Sequence, residues 1–188
     1  MKIVFVASLA GKKQLENNYK LITTLCRQHN LKVFDDYVFK YDEEYLAKRN
    51  INSLKKNYKR ITYEIKKSDA LIAEVTQSSL GVGRFISIAL EYHKPILLLY
   101  SKYIPRAFVY DPTRLISLKK YSLSKPKDLE YKIINFIQTV NKKKLIYRFN
   151  LMITKEMDEY LATESKRENL SKADYLRKLI SEKMVKSR

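Results

Sequence analysis

Apolar and polar positions fall into blocks that change period along the chain. Residues 2–7, "KIVFVA", form a short β-branched run of the kind buried on both faces of a parallel sheet. Comparable runs recur at 31–34 ("LKVF"), 70–75 ("ALIAEV"), 95–100 ("PILLLY") and 114–118 ("RLISL"). Between them the period lengthens to that of a helix. Leu15, Tyr19, Ile22 and Cys26 share one face, and residues 42 to about 67 read as polar and helical. A third helix runs through Ile86, Ala89 and Leu90. A fourth opens at Pro126, a residue suited to a first turn, and continues through Leu129, Ile133, Phe136, Ile137 and Val140. Strands alternating with helices predict an α/β fold: a flavodoxin-like, doubly wound, parallel five-stranded sheet in the order 2-1-3-4-5.

The pattern breaks at "NKKK" (141–144), which carries no apolar residue. We therefore expect an α/β domain over 1–140, a linker over 141–145 and a small second domain over 146–188. That second stretch reads as one strand and two helices with no further strand to pair with. About 40 residues cannot bury an adequate core alone, so a second copy is expected to complete it.

Charge narrows the class of partner. Lys and Arg number 38 against 20 Asp and Glu, an excess that points to a polyanion, with nucleic acid ahead of an acidic membrane surface. A generally basic proteome is the bland alternative. Residues 142–188 hold thirteen basic and seven acidic residues, a net +6, which leaves +12 of the +18 on the first domain. Within 48–67 alone, Lys48, Arg49, Lys55, Lys56, Lys59, Arg60, Lys66 and Lys67 face the single acid Glu64. The lone Cys26 excludes an internal disulfide and suits a reducing cytoplasm. No run of about eighteen apolar residues is present, so no membrane span is expected.

Candidate chemistry gathers around "SSLGVGRFIS" (78–87). In an open parallel sheet, ligands bind beyond the carboxyl ends of the strands where strand order reverses. Here that crevice lies between the first and third strands, and it receives Ser8-Leu9-Ala10-Gly11 and Thr76 through Arg84. Backbone N–H groups at Gly81 and Gly83, the amino end of the following helix and Ser79 would hold an anion there. Glycines needed only for a tight turn are the competing reading. His29 and His93 lie beside helix ends and read as surface or capping residues, Asp35-Asp36 as a solvated turn after the second strand. No Cys/His spacing suggests a metal, and no cofactor is expected.

The stretch "SDALIAEVTQSSLGVG" (68–83), with "VFVASLAGKK" (4–13), resembles the nucleoside 2-deoxyribosyltransferase superfamily, and within it the deoxynucleotide N-hydrolase branch. The likeness spans about residues 1–140. It implies a dimeric α/β protein acting at N-glycosidic bonds through a glutamate two residues after the second loop glycine. By that likeness Ser79, Gly81 and Gly83 match phosphate-binding positions, Ser8 and Gly11 match the first loop, and Arg84 is an added candidate for the anion. The nucleophile's position holds Phe85, which has no lone pair to attack with. The acid usual in the helix before the third strand falls near Ile61. Glu64 lies one turn on, Glu91 points away from the face of Phe85, and Glu74 belongs to the AEV signature itself. No catalytic residue is therefore assigned.

"YRFNLMITKEMDEYLATESKRENLSKADYLRKLISEKM" (147–184) resembles the ribbon-helix-helix repressors. The resemblance implies a dimer whose paired strands enter the DNA major groove. Arg148, Asn150 and Met152 would face the bases, while Phe149, Leu151 and Ile153 face the core with Met157 and Leu161. Ser171 and Lys172, opening the last helix, would meet phosphates. These readings combine into an expectation of a homodimer, or a higher oligomer, that binds double-stranded DNA. It would regulate transcription and keep a degenerate deoxyribosyltransferase-like domain for a nucleotide or phosphate. The alternative is a nucleotide-processing N-glycosidase or deoxyribosyltransferase using a relocated carboxylate such as Glu64, with the C-terminal segment serving oligomerisation.

Overall fold

The computed structural model describes residues 1–42, 44, 47–142, 151–168 and 170–186. They divide into two compact units, Met1–Ile146 and Tyr147–Arg188.

In the first unit, β1 (Lys2–Ala7), β2 (Lys32–Phe34), β3 (Ala70–Glu74), β4 (Ile96–Tyr100) and β5 (Ile116–Lys120) form one parallel sheet in the order β2-β1-β3-β4-β5. This is the expected doubly wound arrangement. The central strands are apolar because water reaches neither face: every residue of β3 is buried, as are Ile3 to Ala7 of β1 and Ile96 to Leu99 of β4. Register sets Ala7 opposite Glu74, and Glu74 opposite Leu99, at the carboxyl ends of the strands. Glu74 is thus a carboxylate at the end of the most buried strand.

The helices are α1 (Lys12–Gln28), α2 (Asp36–Lys40), α3 (Ile51–Lys67), α4 (Leu80–Glu91) and α5 (Pro126–Lys142). α1 packs with α5 and α3 packs with α4, which gives the sheet its two covering layers. Of the helical stretch expected over 42–67, residues 51–67 form α3, and the short α2 lies before that stretch. Asn50 supplies the reason, since its side chain accepts from the Ser53 N–H at 2.9 Å and caps a new helix start. The fifth strand begins two residues later than expected. Asp111 holds the preceding turn by accepting from the N–H groups of Thr113 and Ile116, and Arg114 sits at φ 57°.

The second unit contains α6 (Lys155–Arg167) and α7 (Lys172–Lys186). Thr154 caps α6 by accepting from the Met157 N–H at 3.3 Å. Ser171 caps α7: its hydroxyl accepts from the Asp174 N–H at 3.1 Å and donates to the Asp174 carboxylate at 2.6 Å. Of the expected strand, residues 147–150 lie outside the described residues, and 151–154 have no regular secondary structure in the single chain. Tyr175 is buried, but Met157, expected inward, is more than half exposed, as is Ile180. Two helices have too little surface to cover both sides of an apolar face.

Candidate functional site

The expected crevice is built from two loops that touch. Ser8 is buried after β1, and its hydroxyl accepts from the Gly11 N–H at 3.3 Å. The buried Tyr19 hydroxyl donates to the Ser8 carbonyl at 3.0 Å. Gly11 precedes α1, and a Cβ placed there would lie 2.8 Å from the Cβ of Gln77 in the second loop. Glycine is required by this close approach. Gly11→Ala is expected to push the loops apart and destabilise the domain by about 1–3 kcal/mol, measured by chemical denaturation.

In the second loop, Ser79 caps α4 by accepting from the Val82 N–H at 3.4 Å, while its carbonyl accepts from the Gly83 N–H at 3.0 Å. Gly83 is therefore engaged inside the helix, which corrects the expectation that its amide faces an anion. The first helical amides, at Leu80 and Gly81, have no carbonyl one turn earlier in the helix to bond. Gly81 lies in a cup of hydroxyls. Its Cβ position is 3.7 Å from the hydroxyl oxygens of Ser79, Tyr37 and Tyr58. The two tyrosines, on α2 and α3, have no sequence signal tying them to the loop. Arg84 is exposed and its guanidinium stands 5.5 Å from the centre of the Tyr58 ring.

Phe85 is fully buried beneath this cup. Its ring meets Tyr37 edge-on at 5.4 Å and tilts against Tyr58 at 5.5 Å. Burial, and next the neighbouring Tyr58, push the Tyr37 hydroxyl up to about 12, so it stays a neutral donor. Ile61, the other position where the resemblance would want an acid, is also buried.

Glu64 is in the wrong place to substitute. It bonds Lys2, at the amino end of β1, opposite the edge that bears the loops. The relocated-carboxylate reading therefore fails for Glu64. Glu91 is exposed at the far end of α4. The carboxylate beside the crevice is Glu74, fully buried. One of its oxygens accepts from the Thr76 hydroxyl, from the Thr76 N–H at 3.3 Å and from the Tyr121 hydroxyl at 3.1 Å; the other has no partner. Burial raises its pKa, against the lowering effect of the Thr76 and Tyr121 bonds. Asn18 supports Tyr121 at 2.6 Å, and Thr76 also accepts from the Ser101 N–H at 2.8 Å.

Other expectations divide. His29 closes α1 and its Nε2 lies 2.8 Å from Glu130; His93 follows α4 at φ 54°. Both are structural. Asp35 is not solvated, as expected, but buried and paired with Arg27 at 2.6 Å, because the fold brings the end of α1 against it. Burial pushes the Cys26 thiol up to about 12 and leaves it unreactive. Among the described residues no His, Cys, Asp or Glu cluster could hold a metal, and no helix is long and apolar enough to cross a membrane. In the second unit, Arg148 and Asn150 lie outside the described residues, Met152 is 98% exposed, and Lys172 pairs with Asp158 at 2.7 Å.

No family model matches the chain. It is 30% identical over 129 residues to a Syntrophotalea carbinolica protein that carries the provisional name 2'-deoxynucleoside 5'-phosphate N-hydrolase 1, covering 66% of this chain and 87% of that one. Its fold is shared with Clostridium botulinum CMP N-glycosidase, at 18% identity and a TM-score of 0.51 over 72% of this chain and 99% of the other. Neither comparison speaks for a ribbon-helix-helix module or for DNA binding. The chain belongs to the 2'-deoxynucleoside 5'-phosphate N-hydrolase family, within the deoxyribosyltransferase-like superfamily.

Proposed function

We propose that the α/β domain recognises a 2'-deoxynucleoside 5'-phosphate, the ligand class for which its relative is named. The observation that carries this reading is the cup at the start of α4. Three hydroxyls, of Ser79, Tyr37 and Tyr58, surround Gly81 at a helix end whose first amides are available to an anion. Arg84 adds a cation nearby, and the helix dipole favours negative charge at the same point. Phe85 beneath the cup gives an apolar floor in place of a nucleophile. The domain would therefore hold its ligand without the family's covalent step.

A second reading, cleavage of the N-glycosidic bond, is favoured by the name of the same relative over the DNA-binding regulator expected from the C-terminal segment. Its residue would be Glu74, the carboxyl at the crevice end of β3, whose pKa burial raises. Full burial of Glu74 weighs against direct contact with a substrate. For the second unit, exposed Leu151, Met157 and Ile180 support pairing with another copy, and Met152 stays the outward side chain.

Calorimetric titration with deoxynucleoside 5'-monophosphates and with the matching nucleosides tests the leading reading. Monophosphates should bind and nucleosides should bind far more weakly. Tyr58→Phe should weaken the monophosphate roughly tenfold, as expected when one hydrogen bond to a charged group, ~1.5 kcal/mol, is lost. Ser79→Ala should also remove the helix cap, lowering stability by about 1 kcal/mol. Equal affinity for nucleoside and monophosphate would sink the reading.

A further inference from the structure

The exposed face of α3 concentrates basic side chains along one helix. At about 100° per residue, Lys55, Lys59 and Lys66 fall within about 40° of one another, with Lys56, Lys67 and Arg60 beside them. The apolar Leu54, Tyr58, Ile61 and Ile65 occupy the opposite side, with Ile61 and Ile65 buried in the core. All six basic side chains are exposed. From Lys55 to Lys67 the stripe runs about 18 Å along the helix.

Several lysines elsewhere on the domain are neutralised by a neighbouring acid. Lys20 pairs with Glu16, Lys40 with Asp36, and Lys132 with Asp128. On α3, Arg60 pairs with Asp36, but Lys55, Lys56, Lys59, Lys66 and Lys67 meet no carboxylate within ion-pair distance among the described residues. The helix's own acid, Glu64, is bonded to Lys2. The stripe also opposes folding. Lys55 and Lys59 are like charges one turn apart, and the first turn has no acid to complement the helix dipole. Tyr63 lies within the stripe, half exposed, with the Lys67 ammonium 4.4 Å from its ring centre. A ring amid unneutralised cations suits a polyanion whose bases can stack.

We infer that the exposed face of α3 binds the phosphate backbone of a nucleic acid, independently of sequence and separately from the nucleotide cup. The lysines neutralise successive phosphates. Tyr63 contributes where the strand is single and its bases are free.

Fluorescence anisotropy on the full chain, with labelled single-stranded and duplex DNA of equal length between about 50 and 200 mM salt, tests this. The triple variant Lys55→Gln/Lys59→Gln/Lys66→Gln should weaken binding more than tenfold at the lowest salt on every sequence. It should also flatten the log–log salt slope by roughly two to three units. A control of equal charge, Lys32→Gln/Lys125→Gln/Lys127→Gln, should stay within about threefold of the parent. Tyr63→Ala should weaken the single strand and spare the duplex. Equal losses in the two triple variants would mean diffuse attraction by net charge and would overturn the inference. So would absence of binding by the parent, or binding to phosphatidylserine vesicles without binding to DNA.

Discussion

Phe85→Ala should lower the free energy of unfolding by about 3–5 kcal/mol, the range for removing a fully buried aromatic ring. Phe85 has no exposed surface and joins α4 to both α2 and α3 through Tyr37 and Tyr58. Truncation removes two ring–ring contacts together with the burial, and leaves a cavity beneath the loop that holds Gly81. Phe85→Leu keeps most of the apolar volume and should lose only about 1–2 kcal/mol. Urea unfolding of the three proteins gives the comparison directly. A loss under 1 kcal/mol for the alanine variant would mean that the site collapses freely and that Phe85 is not the floor of a formed cup. The position that the family resemblance gives to a nucleophile would then be doing neither catalysis nor packing.

The second large effect is on pH. Burial holds Glu74's folded pKa above its ordinary value of 4.5, so the folded protein binds this proton more tightly than the unfolded chain. Its contribution is fully present below about pH 4.5 and is lost as pH rises through the folded pKa. Within that window stability falls with rising pH, with a slope from this group bounded by about 1.4 kcal/mol per pH unit. Glu74→Gln removes the titration. The variant should show no such decline and should be more stable than the parent on the alkaline side, where the parent carries a buried charge with one unpartnered oxygen. Thermal melts of both proteins across the pH range read this difference. Parallel curves for parent and variant would place the Glu74 carboxyl in a more solvated setting than its burial implies.

What could be read from the sequence follows from how local each signal is. The buried strands were legible because "IVFVA", "ALIA" and "ILLL" carry apolar residues at consecutive positions, as strands covered on both faces do, and their alternation with helices pointed to the doubly wound order. Pro126 as the start of α5 was legible for a similarly local reason, since proline suits the first turn of a helix. Tyr37 and Tyr58 were not. They lie 21 positions apart on different helices and meet at Gly81 only through the packing of α2 and α3 beside α4. Gly83 misled because a glycine pair suggests two open amides, whereas the cap draws the second into the helix. Asp35 misled because its partner, Arg27, arrives from the end of α1. Glu64 looked near to Ile61 in sequence, but one helical turn carries it to Lys2 at the wrong end of the sheet.

In the proposed function, the domain keeps a nucleotide cup at the amino end of α4 without the attacking carboxylate that the resemblance implies. This is tested most directly by following one sample of a deoxynucleoside 5'-monophosphate with the full chain by phosphorus and proton NMR. A saturable shift of the phosphate resonance is expected, reduced in Tyr58→Phe, while the anomeric proton of the intact nucleotide persists. A phosphate resonance unmoved by the protein, or free base accumulating faster than in buffer alone, would contradict it.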